Sequence, residues 1–423
     1  MKRLFIIIAG VVVLIGVLIG AYFLFFAPKG ADLTVGGNPF SGTQSGNATP
    51  SNDLPTEGTV SNAGTTLAPQ FVKITDGPVA HGSVAFDVEL ANQAASDAGT
   101  VSLSASSSAS STQATTSATS TPDVEVRFID RASGNVYSYV AHARTLTRIS
   151  NKTLPGIQVA SWTPDGSRVY AQFLASSGGL EQVNTYAMDA QGGNGYLLDN
   201  NLSEAVIAGA NTLFTLFPGT TGSVGTLSDA DGSNAHTLFS SVLSALTVHP
   251  TTGDLFATNK PSSQLDGYGF QISRKTGAFS RILGPLRGLS VLPNPDGTSL
   301  LYSYTDGGVY HLRVLDLATR ASTALPVATL AEKCAWTADG KSVYCAVPTN
   351  LSGNLPDDWY QGAVSFTDRI WKIDLSDRLA TLILDPSQVG KVSVDAVDLT
   401  LDPSEDVLVF TDKHTGALYA YDL

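Results

Sequence analysis

Asp357-Asp358-Trp359-Tyr360 sets two carboxylates beside two large aromatics, inside a stretch from Pro348 to Asp368 that is otherwise polar and glycine-rich. Tryptophan and tyrosine carry a disproportionate share of binding energy, and functional loops sit on rigid scaffolds. The four residues therefore read as a binding hot spot. In the competing reading, Trp359 and Tyr360 fold back and cap the chain's own core. Tyr268, in "NKPSSQLDGYG", is expected to extend the same surface.

The two cysteines flank one turn in "CAWTADGKSVYC". With Asp339 and Gly340 as the central turn residues, Cys334 and Cys345 stand opposite each other on paired strands, close enough for a disulfide in an oxidising compartment. A slip of one residue, taken up by a glycine bulge, would put them on opposite faces as two free thiols or small core residues.

Other groups promise less chemistry. The six histidines (His81, His142, His236, His249, His311 and His414) lie far apart and lack metal-ligand spacing. Asp229 to Asn234, "DADGSN", has the opening of a calcium loop without its distant bidentate glutamate, and reads better as a hairpin turn. Nucleophile-elbow, Walker and dinucleotide motifs are missing. No catalytic residue, metal or cofactor is therefore expected.

The elements that must position these residues are strands. Beyond Val124, apolar and polar residues alternate with period two, interrupted every few residues by Gly, Asp or Asn. Gly166, Gly253, Gly297 and Gly340 fall in one column of a repeat whose last two intervals are 44 and 43 residues. The longer first interval hides a degenerate unit around Ile207 to Leu216. Each unit closes with a second hairpin, such as "YAMDAQGG" or "KIDLSDRL". Two hairpins per period of about 43 make four-stranded blades. "SWTPDGSRVY" and "AWTADGKSVY", each followed by a "YxxD"-type hairpin, resemble the WD40-like propeller repeats of the TolB family. The resemblance spans about Phe71 to Leu423 and implies a fold.

Seven units are counted, at 79 to 151, 157 to 200, 202 to 241, 243 to 284, 286 to 327, 330 to 387 and 392 to 423. The expected class is all-β, a seven-bladed β-propeller, with six or eight blades as alternatives. The last unit has three clear strands, and "PQFVKITDG" has the character of the fourth, so the N-terminal strand is expected to close the ring.

Before the repeats, Leu4 to Ala27 is an uninterrupted apolar run preceded by Lys2 and Arg3. It is long enough to span a bilayer, and longer than a signal-peptide core. Residues 1–29 are read as a retained transmembrane anchor with a cytoplasmic N-terminus. Residues 30–69 are read as a disordered tether, and 70–423 as the propeller with a Ser/Thr-rich disordered insertion at 92–122. With 24 basic against 37 acidic residues and a net charge of −13, a nucleic-acid partner is not expected. The functional expectation is a membrane-anchored, extracytoplasmic binding or scaffold module of a bacterial envelope, partnered by another envelope protein or a glycan. The alternative is an envelope enzyme acting on glycans through carboxylates in the channel.

Overall fold

Period-two alternation buries one face of a strand against each neighbour, and the chain uses it to build a succession of antiparallel meanders. The computed structural model describes residues 70–91, 120–177, 180–209 and 211–423. The apolar run at Leu4 to Ala27, the 30–69 tether and most of the 92–122 tract lie outside these residues. Among the described residues, no helix is long and apolar enough to cross a membrane.

A short strand, β1 (Phe71–Lys73), precedes the first unit, which comprises β2 (Val84–Ala91), β3 (Ser120–Ile129), β4 (Val136–Val140) and β5 (Thr145–Arg148). The second unit holds β6 (Ile157–Trp162), β7 (Arg168–Ser177), β8 (Leu180–Asp189) and β9 (Tyr196–Leu197). The third holds β10 (Glu204–Ile207), β11 (Thr212–Gly219), β12 (Gly222–Asp229) and β13 (His236–Ser241). Then come β14 (Leu246–Pro250), β15 (Leu255–Asn259), β16 (Asp266–Ile272), β17 (Phe279–Pro293), β18 (Ser299–Asp306), β19 (Val309–Asp316) and β20 (Ser322–Ala324), joined in one seven-stranded sheet. The sixth unit is β21 (Cys334–Trp336), β22 (Ser342–Pro348), β23 (Asp368–Asp374) and β24 (Ala380–Leu384). The last is β25 (Ala396–Leu401), β26 (Val407–Asp412) and β27 (Leu418–Asp422). Among the described residues, two single-turn α-helices interrupt the strands, α1 (Asp357–Tyr360) and α2 (Pro386–Val389), and a 3-10 turn (Ala331–Lys333) precedes β21.

The hydrophobic core is distributed between neighbouring sheets. Val407 and Leu418 pack with Val124 and Phe128 across the last and first units, Ile129 with Ile157 across the next pair, and Tyr170 with Leu213 beyond it. Phe214 packs with Val248, Phe256 with Leu300, Leu301 with Val343 and Tyr344 with Leu408. The series returns to its start, so the sheets form a ring. β1 seals it, pairing antiparallel with β27 through Phe71 opposite Tyr421 and Lys73 opposite Tyr419. Phe71 stacks on Tyr419 with ring centroids 5.3 Å apart.

Three details depart from the sequence reading. Ser120 to Pro122, expected within the insertion, already belong to β3 and pair with Ala91, Leu90 and Glu89. The boundary expected near residue 285 is bridged by the continuous strand β17, whose first part pairs with β16 and whose last part pairs with β18 after a bulge between Arg287 and Ser290. The glycine column is not uniform either. Gly166, Gly297 and Gly340 have φ of 65°, 68° and 67°, where a Cβ would be strained. Gly253 lies in a tighter turn, closed by Thr251 N–H donating to the Asp254 carbonyl at 3.3 Å, and does not need that conformation.

The turn aspartates bond to their own backbone, as in the Asx turns that their recurrence suggested. Asp165 Oδ1 accepts from Ser167 N at 3.1 Å, Asp339 Oδ1 from Lys341 N at 3.0 Å and Asp374 Oδ1 from Ser376 N at 2.8 Å. In "DADGSN", Asp231 Oδ1 accepts from Ser233 N at 2.9 Å, and Asp229 Oδ2 accepts from the Asn234 amide at 2.7 Å. Cys334 stands opposite Cys345 in the register of β21 and β22, and the two are joined by a disulfide with Cα atoms 4.0 Å apart.

Candidate functional site

In a four-stranded meander, the connections after the second and fourth strands share one rim. The connection between β22 and β23, residues 349–367, is the long departure on that rim. Its middle passes through α1, which turns inward to the mouth of the central channel. There it meets the first residues of the innermost strands.

Trp359 is buried, at 4% exposure. Its indole N–H donates to Asp395 Oδ2 at 2.9 Å, and its ring stacks on Phe366 with centroids 6.1 Å apart. The Tyr360 hydroxyl donates to Glu332 Oε1 at 2.5 Å. Asp357 Oδ2 accepts from Ser263 N at 2.5 Å, so the helix reaches across the short Gly307-Gly308 turn of the fifth unit to the β15–β16 connection of the fourth. Asp358 Oδ2 accepts from Asn354 N at 2.7 Å and ties down its own loop. The fold-back expected as one reading of the aromatic pair is thus the arrangement in the structure. Both aromatics also line a cavity, so the surface reading keeps a physical basis. Tyr268 stands apart from α1: it lies on β16, its N–H donates to Asn259 Oδ1 at 2.7 Å, and Arg281 sits over its ring at 5.8 Å. The β15–β16 connection does reach α1, through Ser263.

Beneath Trp359 lies an ion cluster that sequence reading missed. Lys333 is fully buried, with Nζ 2.5 Å from Asp395 Oδ1 and 2.8 Å from Asp368 Oδ2. Its ammonium faces the rings of Trp359 and Phe366 at 5.0 and 5.4 Å. Asp395 Oδ2 also accepts from Phe366 N at 3.0 Å, and Asp368 Oδ2 from Ala396 N at 2.7 Å. Burial raises the Asp368 carboxyl, with Lys333 opposing. Lys333 bridges the two carboxylates, while Asp368 Oδ1 is buried without a hydrogen-bond partner among the described residues, and the cluster clamps the 349–367 connection to both the sixth and last units.

Above the cluster opens a cavity of about 260 Å³ lined by His81, Glu332, Trp359, Tyr360, Val397, Asp398 and Lys413. Three different units contribute these residues or the connections that carry them. Asp398 has φ of 53° at a bulge in β25 between Val397 and Thr400. This is strain of the kind that re-aims a side chain. Its Oδ2 lies 2.8 Å from His81 Nδ1, a hydrogen bond that raises the histidine above its usual range. The Lys413 ammonium sits 3.8 Å from the Trp359 ring centroid and donates to the Trp359 carbonyl. Burial lowers Lys413, and burial raises Glu332. A neighbouring cavity of about 330 Å³, lined by Ala245 to Thr247, Lys260, Pro261, Glu332 and Tyr360, continues the site across the mouth. Among the described residues, no group of acidic, histidine and cysteine side chains could hold a metal ion.

Four of the residues that sequence reading missed share one signal. Glu332, Lys333, Asp395 and Asp398 are charges at the starts of innermost strands, in a chain where only 14% of residues are charged.

No family model matches the chain, and neither does any curated protein. Solved structures do. The crystal structure of an oligogalacturonate lyase from Vibrio parahaemolyticus aligns with a TM-score of 0.50 at 11% identity, over 71% of this chain and 86% of that one. The fold is a β-propeller. The propeller domain of Cps50 (Swd1) from Myceliophteria thermophila aligns at a TM-score of 0.47 and 10% identity, over 71% of this chain and 93% of that one. TolB from Acinetobacter baumannii aligns at 0.41 and 12%, over 71% of this chain and 76% of that one. At these identities the likeness is one of fold alone, so the propeller's role must be argued from its own site.

Proposed function

We propose that this chain is a seven-bladed, membrane-anchored, extracytoplasmic propeller that works as a binding or scaffold module through the channel mouth beneath α1. Seven blades follow when β17 is divided at its bulge, so that it serves two neighbouring blades. The carrying observation is the 349–367 connection. It is clamped by Trp359 to Asp395, Tyr360 to Glu332 and Asp357 to Ser263, and it walls a cavity rimmed by His81, Asp398 and Lys413. A fold needing only to close its ring has no use for such a loop. Preorganised polar groups around a concave, partly aromatic site favour recognition of a partner without further ordering cost. The partner is another envelope protein or a glycan.

Affinity capture from membranes, read by mass spectrometry, tests the reading with His81→Ala and Lys413→Ala combined. The pair should lose the captured partner while the melting temperature holds. Unchanged capture would sink the proposal.

One observation favours a second reading, an envelope enzyme acting on glycans. Glu332 is raised and Lys413 lowered, so both move toward neutrality, as an acid and base pair would. Glycan turnover abolished by Glu332→Gln would support that reading.

A further inference from the structure

On the same rim, a third cavity of about 280 Å³ lies where the connections of the fourth, fifth and sixth units meet. We propose that it binds one ring of a saccharide. This deepens the binding reading above and rests on it.

Leu355 and the ring of Tyr310 give the cavity buried apolar lining, at 5% and 9% exposure, and the buried Tyr310 hydroxyl has no hydrogen-bond partner among the described residues. Thr305, Ser352 and Asn354 also line it, and their side chains make no hydrogen bond to any described residue. Arg287 also lines the cavity, and among the described residues its one ion pair is a loose one to Asp266 at 3.9 Å, with both side chains more than half exposed. The walls are held in place from outside. Asp357 fixes Ser263, and Asp358 fixes the Asn354 backbone at 2.7 Å, so the Asn354 amide is carried on a braced loop. Gly307 and Gly308 adopt φ of 57° and 82° with nothing near their missing side chains, which keeps the mouth open.

The lining selects among ligand classes. An apolar ligand would strand the hydroxyl and amide groups, at the cost of unmade hydrogen bonds. A phosphate-rich ligand would meet a single cation, Arg287. A metal ion would find no carboxylate on the wall. A sugar ring has an apolar C–H face for Tyr310 and a hydroxyl edge for Thr305, Ser352 and Asn354. Arg287 can take a ring hydroxyl, or the carboxylate of a uronic acid.

The test is saturation-transfer NMR on the full-length chain in detergent, with glucose, galactose, mannose, N-acetylglucosamine and glucuronate, each as mono- and disaccharide. Binding of a neutral sugar, weakened at least tenfold by Asn354→Ala with Thr305→Val, is the result expected. Binding of glucuronate alone, lost in Arg287→Ala, assigns the same site to an acidic sugar. No transfer from any sugar, or transfer unchanged in the variants, overturns the assignment. Loss of partner capture in the His81 and Lys413 variant, with sugar binding intact, would separate the two sites. Persistent capture without any sugar binding would overturn this inference alone.

Discussion

Trp359 was legible as an important residue because a tryptophan beside carboxylates in a polar loop has no obvious core to join. Which way it points was not legible. Its partner Asp395 and the cluster around Lys333 lie tens of residues away, and nothing local marks their convergence. The structure makes the side chain a keystone, so Trp359→Ala should cost about 3–5 kcal/mol, as for other buried large-to-small changes. Urea unfolding measures this, and a loss under about 1 kcal/mol would contradict the clamp. Glu204 offers a test of pH dependence. Burial at the start of β10 lifts its carboxyl from 4.5 to about 8, opposed by the Val248 N–H that both oxygens accept at 3.0 Å. The folded protein therefore keeps a proton that the unfolded chain has released across that window, and stability falls as pH rises through it. Glu204→Gln stays neutral throughout. It should match the wild type near pH 4 and exceed it near pH 8 in denaturation midpoint, and parallel curves for the two proteins would refute the assignment.

At the scale of elements, the hairpins were readable because their turns repeat the same chemistry. Asp165 and Asp339 hold equivalent turn amides, and Ala160 opposite Ala171 matches Cys334 opposite Cys345. The fourth unit was harder. Gly253 fits the sequence column but serves a tighter turn, and Gly284 with Pro285 looks like a break within what is one strand, β17. Turn residues mark where a chain can bend, while pairing on both sides decided that β17 runs on. The closing strand was legible from an arithmetic shortfall: the last unit lacked a fourth strand and Pro69 to Gly77 had its character. Deleting residues 70–73 should leave β27 as an unpaired edge and remove the Phe71 stack on Tyr419. Lower melting temperature and concentration-dependent aggregation are expected by calorimetry and light scattering. Wild-type behaviour would mean that β1 does not hold the ring.

At the scale of the molecule, the repeat period and the resemblance of its turns to TolB-like repeats were enough to anticipate a ring of antiparallel sheets. The channel-mouth site was only half legible: its loop stood out by length, whereas His81, Glu332, Asp398 and Lys413 come together only because the ring closes. The central claim is that this mouth is the face the protein uses. A photo-crosslinking residue placed at His81, compared with one at Asp377 in a turn on the opposite rim, tests it in full-length protein in cells that produce it. Irradiation should give discrete adducts from position 81 and none from position 377. Adducts from 377 alone, or from neither position, would contradict the account.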